Sequence, residues 1–369
     1  MRPAVTSLAS ILGEVRDSVG ASSAWASVVT AVPTFCFGLA GIAAPLLARR
    51  WGINRVVGVS LIVLTVAMLG RVLDGPGSVL GGTLLVCAAI AMCNVLIPVV
   101  VKEFFPTRVG MATGLYTTSM AAGGALGSTF TPWLDSATGS WRISLATWAV
   151  VALAASCTWM PATRRLGAGS RDAGGTARGT GRSLRRSPLA WAVTGYFGLQ
   201  ALVAYVVMGW LPEVFKGAGM DSTTAGALLG VLLVVGVPIN LVLPLIVTRS
   251  RSQSGWAVGL AVFAITALLG LLLAPLSAPV VWALLLGVGI SAFPLALVII
   301  SLRTRDAAET GQLSAMSQSI GYLVASVGPL LFGVLHDVTA GWSTSLIAVM
   351  VVLVVQAVLG VFAGRAKTV

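Results

Sequence analysis

Residues 107–132, TRVGMATGLYTTSMAAGGALGSTFTP, share a pattern with residues 304–329, TRDAAETGQLSAMSQSIGYLVASVGP. The second stretch begins 197 positions after the first, and the two align over 26 residues without a gap. A Thr-Arg pair, a Thr-Gly pair, a single glycine and a final proline recur at matching positions. This self-similarity predicts that the chain is built from two related halves.

The chain around these stretches is strongly apolar. Of its 369 residues, 57% are hydrophobic and only 9% are charged, with a mean hydropathy of +0.97. An average soluble domain has about a quarter of its residues charged, so a soluble protein is excluded. The apolar residues fall in runs of about 20, the length that a helix needs to cross ~30 Å of hydrocarbon. Because lipid offers no hydrogen-bond partner to a bare backbone, these runs are predicted to be transmembrane helices.

Eleven apolar runs are long enough to span a membrane. They are Trp25–Ala48, Val56–Leu73, Val79–Val101, Gly110–Leu134, Ile143–Met160, Leu189–Leu211, Thr224–Val247, Trp256–Leu273, Val280–Leu302, Leu313–Leu335 and Ser345–Phe362. Between the fifth and sixth runs, residues 161–187 contain seven arginines and a single acid, Asp172, which is typical of a flexible, solvated linker. We therefore expect an N-terminal half at residues 1–160 and a C-terminal half at residues 188–369.

Lysine and arginine are distributed unevenly between alternate loops. The linker, the C-terminus and the loops on their side hold eighteen, and the other loops hold four, with Arg2 left out. Positively charged loops face the cytoplasm, so the linker and C-terminus are predicted to be cytoplasmic and the protein to lie in the cell membrane. The basic residues occupy short gaps rather than a folded face with interleaved aromatics, so nucleic acid is not an expected partner.

The first apolar segment is too short for the place it occupies. Ala4–Leu12 has nine residues, about 13 Å as a helix, which cannot cross the bilayer. A chain whose first loop lies outside needs a preceding helix that starts inside. We therefore expect a first helix that is truncated at its N-terminus, followed by five spans in the first half and six in the second.

Four segments resemble the cyanate and 2-nitroimidazole transporter family of the major facilitator superfamily. They are residues 1–22 (first helix and outer loop), 99–134 (fourth to fifth helix), 194–229 (seventh helix and following loop) and 314–342 (eleventh helix). The resemblance implies an all-α integral membrane fold of two six-helix halves. It also implies secondary transport of small anions or of small drug-like compounds, without identifying the substrate.

Arg2 is the first candidate for substrate contact. Twelve helical residues separate it from Glu14 in the outer loop, about 18 Å, which would hold Arg2 near the membrane centre. A central arginine costs about 2.5–3.5 kcal/mol on insertion scales and usually faces a wet cavity or an anion. The alternative is that Arg2 is a freely moving terminal charge.

Uncharged polar residues within the spans complete the predicted binding set. They are Asn94, Tyr116, Gln200, Tyr205, Gln318 and Tyr322. Amide and phenol groups suit a small planar or anionic solute. Each residue has an alternative role in hydrogen bonds between helices, which contribute ~0.6 kcal/mol on average.

Other classes of protein fit the sequence poorly. A single histidine and the lack of a His/Cys/Asp cluster with metal spacing argue against an enzyme, a metal or a cofactor. No G-x-x-x-x-G-K-[ST] motif is present for ATP.

We expect a monomer in the lipid bilayer that moves a small-molecule substrate by alternating access, with a proton as candidate coupling ion. The substrate is expected to be a small anion such as cyanate or an organic acid. The alternatives are efflux of neutral nitroimidazole-type heterocycles and, more remotely, a ligand-binding membrane sensor without transport.

Overall fold

The structure is a computed structural model that describes residues 2–165 and 184–369. Within these ranges the chain forms α-helices, one 3₁₀ turn at Leu184–Arg186 and no β-strand, which confirms the all-α prediction. The helices are α1 (Pro3–Ser10), α2 (Leu12–Ser18), α3 (Ser23–Trp51), α4 (Ile53–Gly70), α5 (Pro76–Phe104), α6 (Val109–Thr138), α7 (Trp141–Arg165), α8 (Pro188–Gly217), α9 (Ser222–Val247), α10 (Ser254–Leu273), α11 (Pro279–Gly289), α12 (Ala292–Leu302), α13 (Ala307–Thr339) and α14 (Trp342–Ala363).

Nine helical segments in the described ranges are long and apolar enough to cross a membrane. They are α4, α5, α7, α8, α9, α10, the α11–α12 pair, α13 and α14. The other two predicted spans fall within α3 and α6, which have 29 and 30 residues. All eleven predicted spans therefore coincide with helices. The second begins and ends three residues earlier than expected, since α4 occupies Ile53–Gly70.

The span formed by α11 and α12 is interrupted at Ile290 and Ser291. Pro294, in the first turn of α12, has no N–H and cannot donate to the Ile290 carbonyl. The Ser291 N–H donates to the Val288 carbonyl, and the Ser291 hydroxyl donates to the Gly287 carbonyl at 2.8 Å. The regular helical hydrogen bonding of this span is therefore broken near its middle.

The helices group into two compact units. Unit 1 comprises the described residues of Met1–Val100 and Ser119–Gly181, and unit 2 comprises those of Val101–Thr118 and Arg182–Val369. The end of α5 and the first ten residues of α6 thus belong to unit 2, although they precede the linker in sequence. Most of the predicted linker, residues 161–187, lies outside the described residues.

Polar contacts hold Val101–Thr118 within unit 2. The Lys102 ammonium donates to the carbonyl oxygens of Ser301 and Thr304, at 3.0 and 2.9 Å, near the end of α12. The Thr117 hydroxyl donates to the Asn240 carbonyl of α9 at 3.0 Å. Each of these donors bonds to a backbone carbonyl oxygen. The contacts therefore depend on where the neighbouring helices lie and little on the side chains of Ser301, Thr304 and Asn240.

Candidate functional site

Helices α8 and α13 of unit 2 lie side by side and run in the same direction. Near their starts, the Thr194 and Ser317 hydroxyl oxygens are 3.3 Å apart. Further along, a Cβ placed on Gly333 would come within 2.8 Å of the Trp210 ring. Both pairs are 123 residues apart in sequence. The two helices therefore keep one register over about four turns.

The helices come closest at Gly198 and Gly321. A Cβ on Gly321 would lie 2.6 Å from Phe197 Cδ1 and 3.2 Å from the Gly198 Cα. A Cβ on Gly198 would lie 3.0 Å from the Gly321 Cα. Small residues allow such backbone contact between transmembrane helices, and here they bring the middles of two spans together.

Three of the predicted binding residues lie next to this crossing. Gln200, Gln318 and Tyr322 are all buried, with at most 4% of each residue exposed. The ring of Tyr322 packs edge-on against Phe197, with 5.4 Å between centroids and an interplanar angle of 86°. The Gln318 amide nitrogen donates to the Ser314 hydroxyl at 2.9 Å. The structure thus places two amides and a phenol ring in one part of unit 2.

The side-chain amide of Gln200 differs from those of the neighbouring residues in its hydrogen bonding. Its amide oxygen and nitrogen are both buried and have no hydrogen-bond partner among the described residues. Burial of an unpaired polar group costs about 1–3 kcal/mol, so stability alone does not account for a glutamine here. It lies near the middle of the 30-residue α8, the depth at which membrane carriers place solute sites.

The remaining polar candidates have separate positions. Tyr205 lies on α8, half-buried and five residues beyond Gln200, about 7 Å along the helix. Tyr116 is half-buried on α6, in the part that belongs to unit 2. Asn94 is buried on α5, in unit 1.

Arg2 lies in unit 1 at the N-terminal end of α1. It is half-buried, and its Cβ is 3.6 Å from the point that a Cβ on Gly124 of α6 would occupy. No described carboxylate forms an ion pair with it. Gly127 also lets α1 approach, since a Cβ there would lie 2.7 Å from the Pro3 Cα. The glycines of α6 therefore bring Arg2 against a predicted span.

A second arginine, Arg71, contacts α1. Arg71 follows Gly70, the last residue of α4, and its side chain is fully buried. Its guanidinium donates to the Ala4 carbonyl and the Ser7 hydroxyl of α1. A Cβ on Gly82 would lie only 2.4 Å from the Arg71 Cβ, so this glycine provides the space. Arg71 therefore positions the helix that carries Arg2.

Comparisons with known proteins show the family and the fold of the chain. Residues 3–329 match the sequence profile of the Major Facilitator Superfamily. The chain is 34% identical to the 2-nitroimidazole transporter of Escherichia coli (strain K12), over 100% of this chain and 93% of that protein. It is 28% identical to the cyanate transport protein CynX of the same organism, over 93% and 88%. Among solved structures, the proton:xylose symporter XylE has a TM-score of 0.79 at 13% identity, covering 100% of this chain and 94% of that one. At that identity, the structural likeness shows the fold alone.

Proposed function

Because the chain belongs to the major facilitator superfamily of membrane transporters, we propose that it is a secondary active transporter of a small anion, such as cyanate or an organic acid. The observation that carries the proposal is the buried group of Gln200, Gln318 and Tyr322 at the α8–α13 crossing. Two of its members are amides that can both donate and accept, and the third offers a flat ring face. One relative is named for cyanate transport, which supports an anionic substrate.

The burial of this group supports alternating access. With at most 4% of each residue exposed, a solute reaches Gln200, Gln318 and Tyr322 only when the surrounding helices move. The unpaired Gln200 amide then gains a hydrogen-bond partner when a solute binds. Binding energy gained in one conformation and not in another is what shifts a population between states.

Gln200→Ala and Gln318→Ala are expected to weaken substrate binding several-fold, since a hydrogen bond contributes about 0.5–1.5 kcal/mol. The yield of folded protein should stay near that of the wild type for Gln200→Ala, because the Gln200 side chain makes no hydrogen bond to a described residue. Gln318→Ala should lower the yield somewhat more, since it removes the bond to Ser314. The measurement is the KM for uptake into proteoliposomes, with the melting temperature beside it. Gln356→Ala is the matched control, a buried glutamine on α14. Loss of folded protein without a change in KM would assign both residues to packing.

The positive charge of Arg2 favours an anion. In a thermal-shift screen of detergent-purified protein, cyanate or an organic acid should raise the melting temperature of the wild type. A ligand present at 100 times its Kd should stabilise the folded state by about 2.7 kcal/mol. The shift should disappear in Arg2→Ala and persist in Arg16→Ala, which removes an exposed arginine paired with Asp17.

The same screen tests the alternative substrate class. If 2-nitroimidazole stabilises the wild type and Arg2→Ala equally, while the anions stabilise neither, the anion proposal fails and export of neutral heterocycles replaces it. The 34% identity to a 2-nitroimidazole transporter is the observation behind that alternative.

A proton is our candidate for the coupling ion, on the basis of a carboxyl pair in unit 1. The hydrogen bond between Glu14 and Asp135, followed by burial and the negative charge of Asp135, raises the pKa of Glu14. Glu14 therefore takes up a proton at a higher pH than an isolated glutamate does and loses it as the pH rises through its raised pKa. Glu14→Gln should flatten the acid side of the transport pH profile, whereas Asp17→Asn should not. An unchanged profile in Glu14→Gln would exclude this pair.

We also propose a monomer in the cell membrane with a cytoplasmic linker and C-terminus, and with halves at residues 1–160 and 188–369. The unequal distribution of Lys and Arg between alternate loops supports this orientation. A cysteine introduced at Lys367 should react with an impermeant maleimide only in broken cells. Labelling in intact cells would reverse the orientation.

A further inference from the structure

A cavity of about 710 Å³ lies in unit 2 between α9 and α10, apart from the polar group at the α8–α13 crossing. Its walls are apolar side chains, among them Val242 and Ile246 of α9 and Phe263 of α10. These three residues are 43–46% exposed, so the cavity is a groove open at the side of the helices. The only hydroxyl side chain in its lining is Ser252. A solute that needs polar contacts therefore finds few partners here.

The groove follows the axis of α10. Gly255 and Gly259 lie one turn apart in its lining, and a Cβ placed on either would meet nothing within 4 Å. From Gly255 to Phe263 the groove extends about 12 Å along the helix. A long, narrow and apolar space of this kind matches a hydrocarbon chain.

One end of the groove is cationic. The short loop between α9 and α10 contains Arg249 and Arg251, which are both exposed, and the sequence has no acid between Asp221 and Asp306. At the same end, the Trp256 indole lines the groove and donates to the Ser250 hydroxyl at 3.1 Å. Tryptophan at the end of a span is typical of the membrane interface. The groove thus combines an apolar body with a positive, interfacial mouth.

We propose that this groove binds an anionic phospholipid of the bilayer, with an acyl chain along Gly255 and Gly259 and the phosphate near Arg249 and Arg251. Basic pockets between transmembrane helices on the cytoplasmic side recognise anionic headgroups, and these arginines are in the set of loops expected to face the cytoplasm. A second copy of the chain is a poor occupant, because its net charge of +12 would bring like charges to the mouth.

The test is native mass spectrometry of the delipidated full-length protein with equimolar phosphatidylglycerol and phosphatidylcholine of the same acyl chains. The wild type should retain phosphatidylglycerol at least about five-fold better. Gly259→Leu, which fills the groove, should reduce binding of phosphatidylglycerol to the background level. Gly226→Leu adds the same side chain at an open position near the other end of α9 and should have no effect. Gly255→Leu fills the same groove if Gly259→Leu fails to fold.

The headgroup contribution is tested separately by the double variant Arg249→Gln/Arg251→Gln. It should remove the preference for phosphatidylglycerol, while Arg49→Gln/Arg50→Gln, which removes two exposed charges of α3 in unit 1, should keep it. Equal retention of both lipids by the wild type would overturn the proposal. Unchanged binding in either the groove-filling variant or the Arg249/Arg251 variant would overturn it as well.

Discussion

Gly321→Leu is expected to abolish transport and to lower the melting temperature by several degrees, or to prevent folding altogether. The new side chain would have to occupy space held by the Phe197 ring, 2.6 Å away, and by the Gly198 backbone, 3.2 Å away. Overpacking a closely packed contact costs about 1–3 kcal/mol, and a backbone cannot move aside as a flexible side chain can. The helices would separate at the point where Gln200 and Tyr322 lie.

The comparison that makes this result interpretable is Gly226→Leu, because a Cβ on Gly226 meets nothing within 4 Å. Melting temperature and proteoliposome uptake are measured for both variants, with Gly321→Ala as an intermediate step. A Gly321→Leu protein with wild-type uptake would show that the α8–α13 crossing is not needed for transport.

Gly114→Leu is expected to reduce uptake while leaving a folded protein. A Cβ on Gly114 would lie 2.6 Å from the Leu241 carbonyl oxygen, and one on Gly110 would lie 2.3 Å from the Thr248 hydroxyl. A leucine here pushes the start of α6 away from α9. A penalty of about 1–3 kcal/mol on one conformation shifts a two-state equilibrium roughly 5- to 150-fold. A transport cycle that needs both states would slow accordingly.

The displacement can be detected at Thr248. In a background without native cysteines, a Thr248→Cys protein should react slowly with maleimide while α6 packs against it, and faster when Gly114→Leu is added. Gly230→Leu, at an open position on α9, should change neither the labelling rate nor the uptake. Unaltered labelling and uptake in Gly114→Leu would mean that this contact is not part of the cycle.

Hydropathy is sufficient to find the helices, whereas the grouping of the helices into compact units depends on contacts between distant segments. Each span can be predicted from the hydropathy of about 20 consecutive residues, without knowledge of the rest of the chain. The assignment of Val101–Thr118 to unit 2 depends on contacts such as Thr117 with Asn240, 123 residues away. No local pattern encodes such a contact, and the unit boundary within α6 was therefore not foreseen.

The candidate site shows the same limit. Gln200, Gln318 and Tyr322 could be found because polar residues are rare in apolar runs. Phe197 could not, since one more aromatic residue in a span carries no distinguishing signal. Arg71 lies directly after Gly70, the last residue of α4, and its burial depends on the Ala4 carbonyl, 67 residues earlier. Contacts between side chains and residues far away in the sequence cannot be predicted from local sequence patterns.

The 123-residue separation between α8 and α13 also has a consequence for biosynthesis. A ribosome that adds about 5–20 residues per second needs roughly 6–25 s to produce the segment between matching positions of the two helices. During that interval the glycine face of nascent α8, with the Gln200 amide beside it, has no partner helix. The pairing of α8 with α13 is therefore a late step in the assembly of unit 2, because α8 leaves the ribosome well before its partner exists.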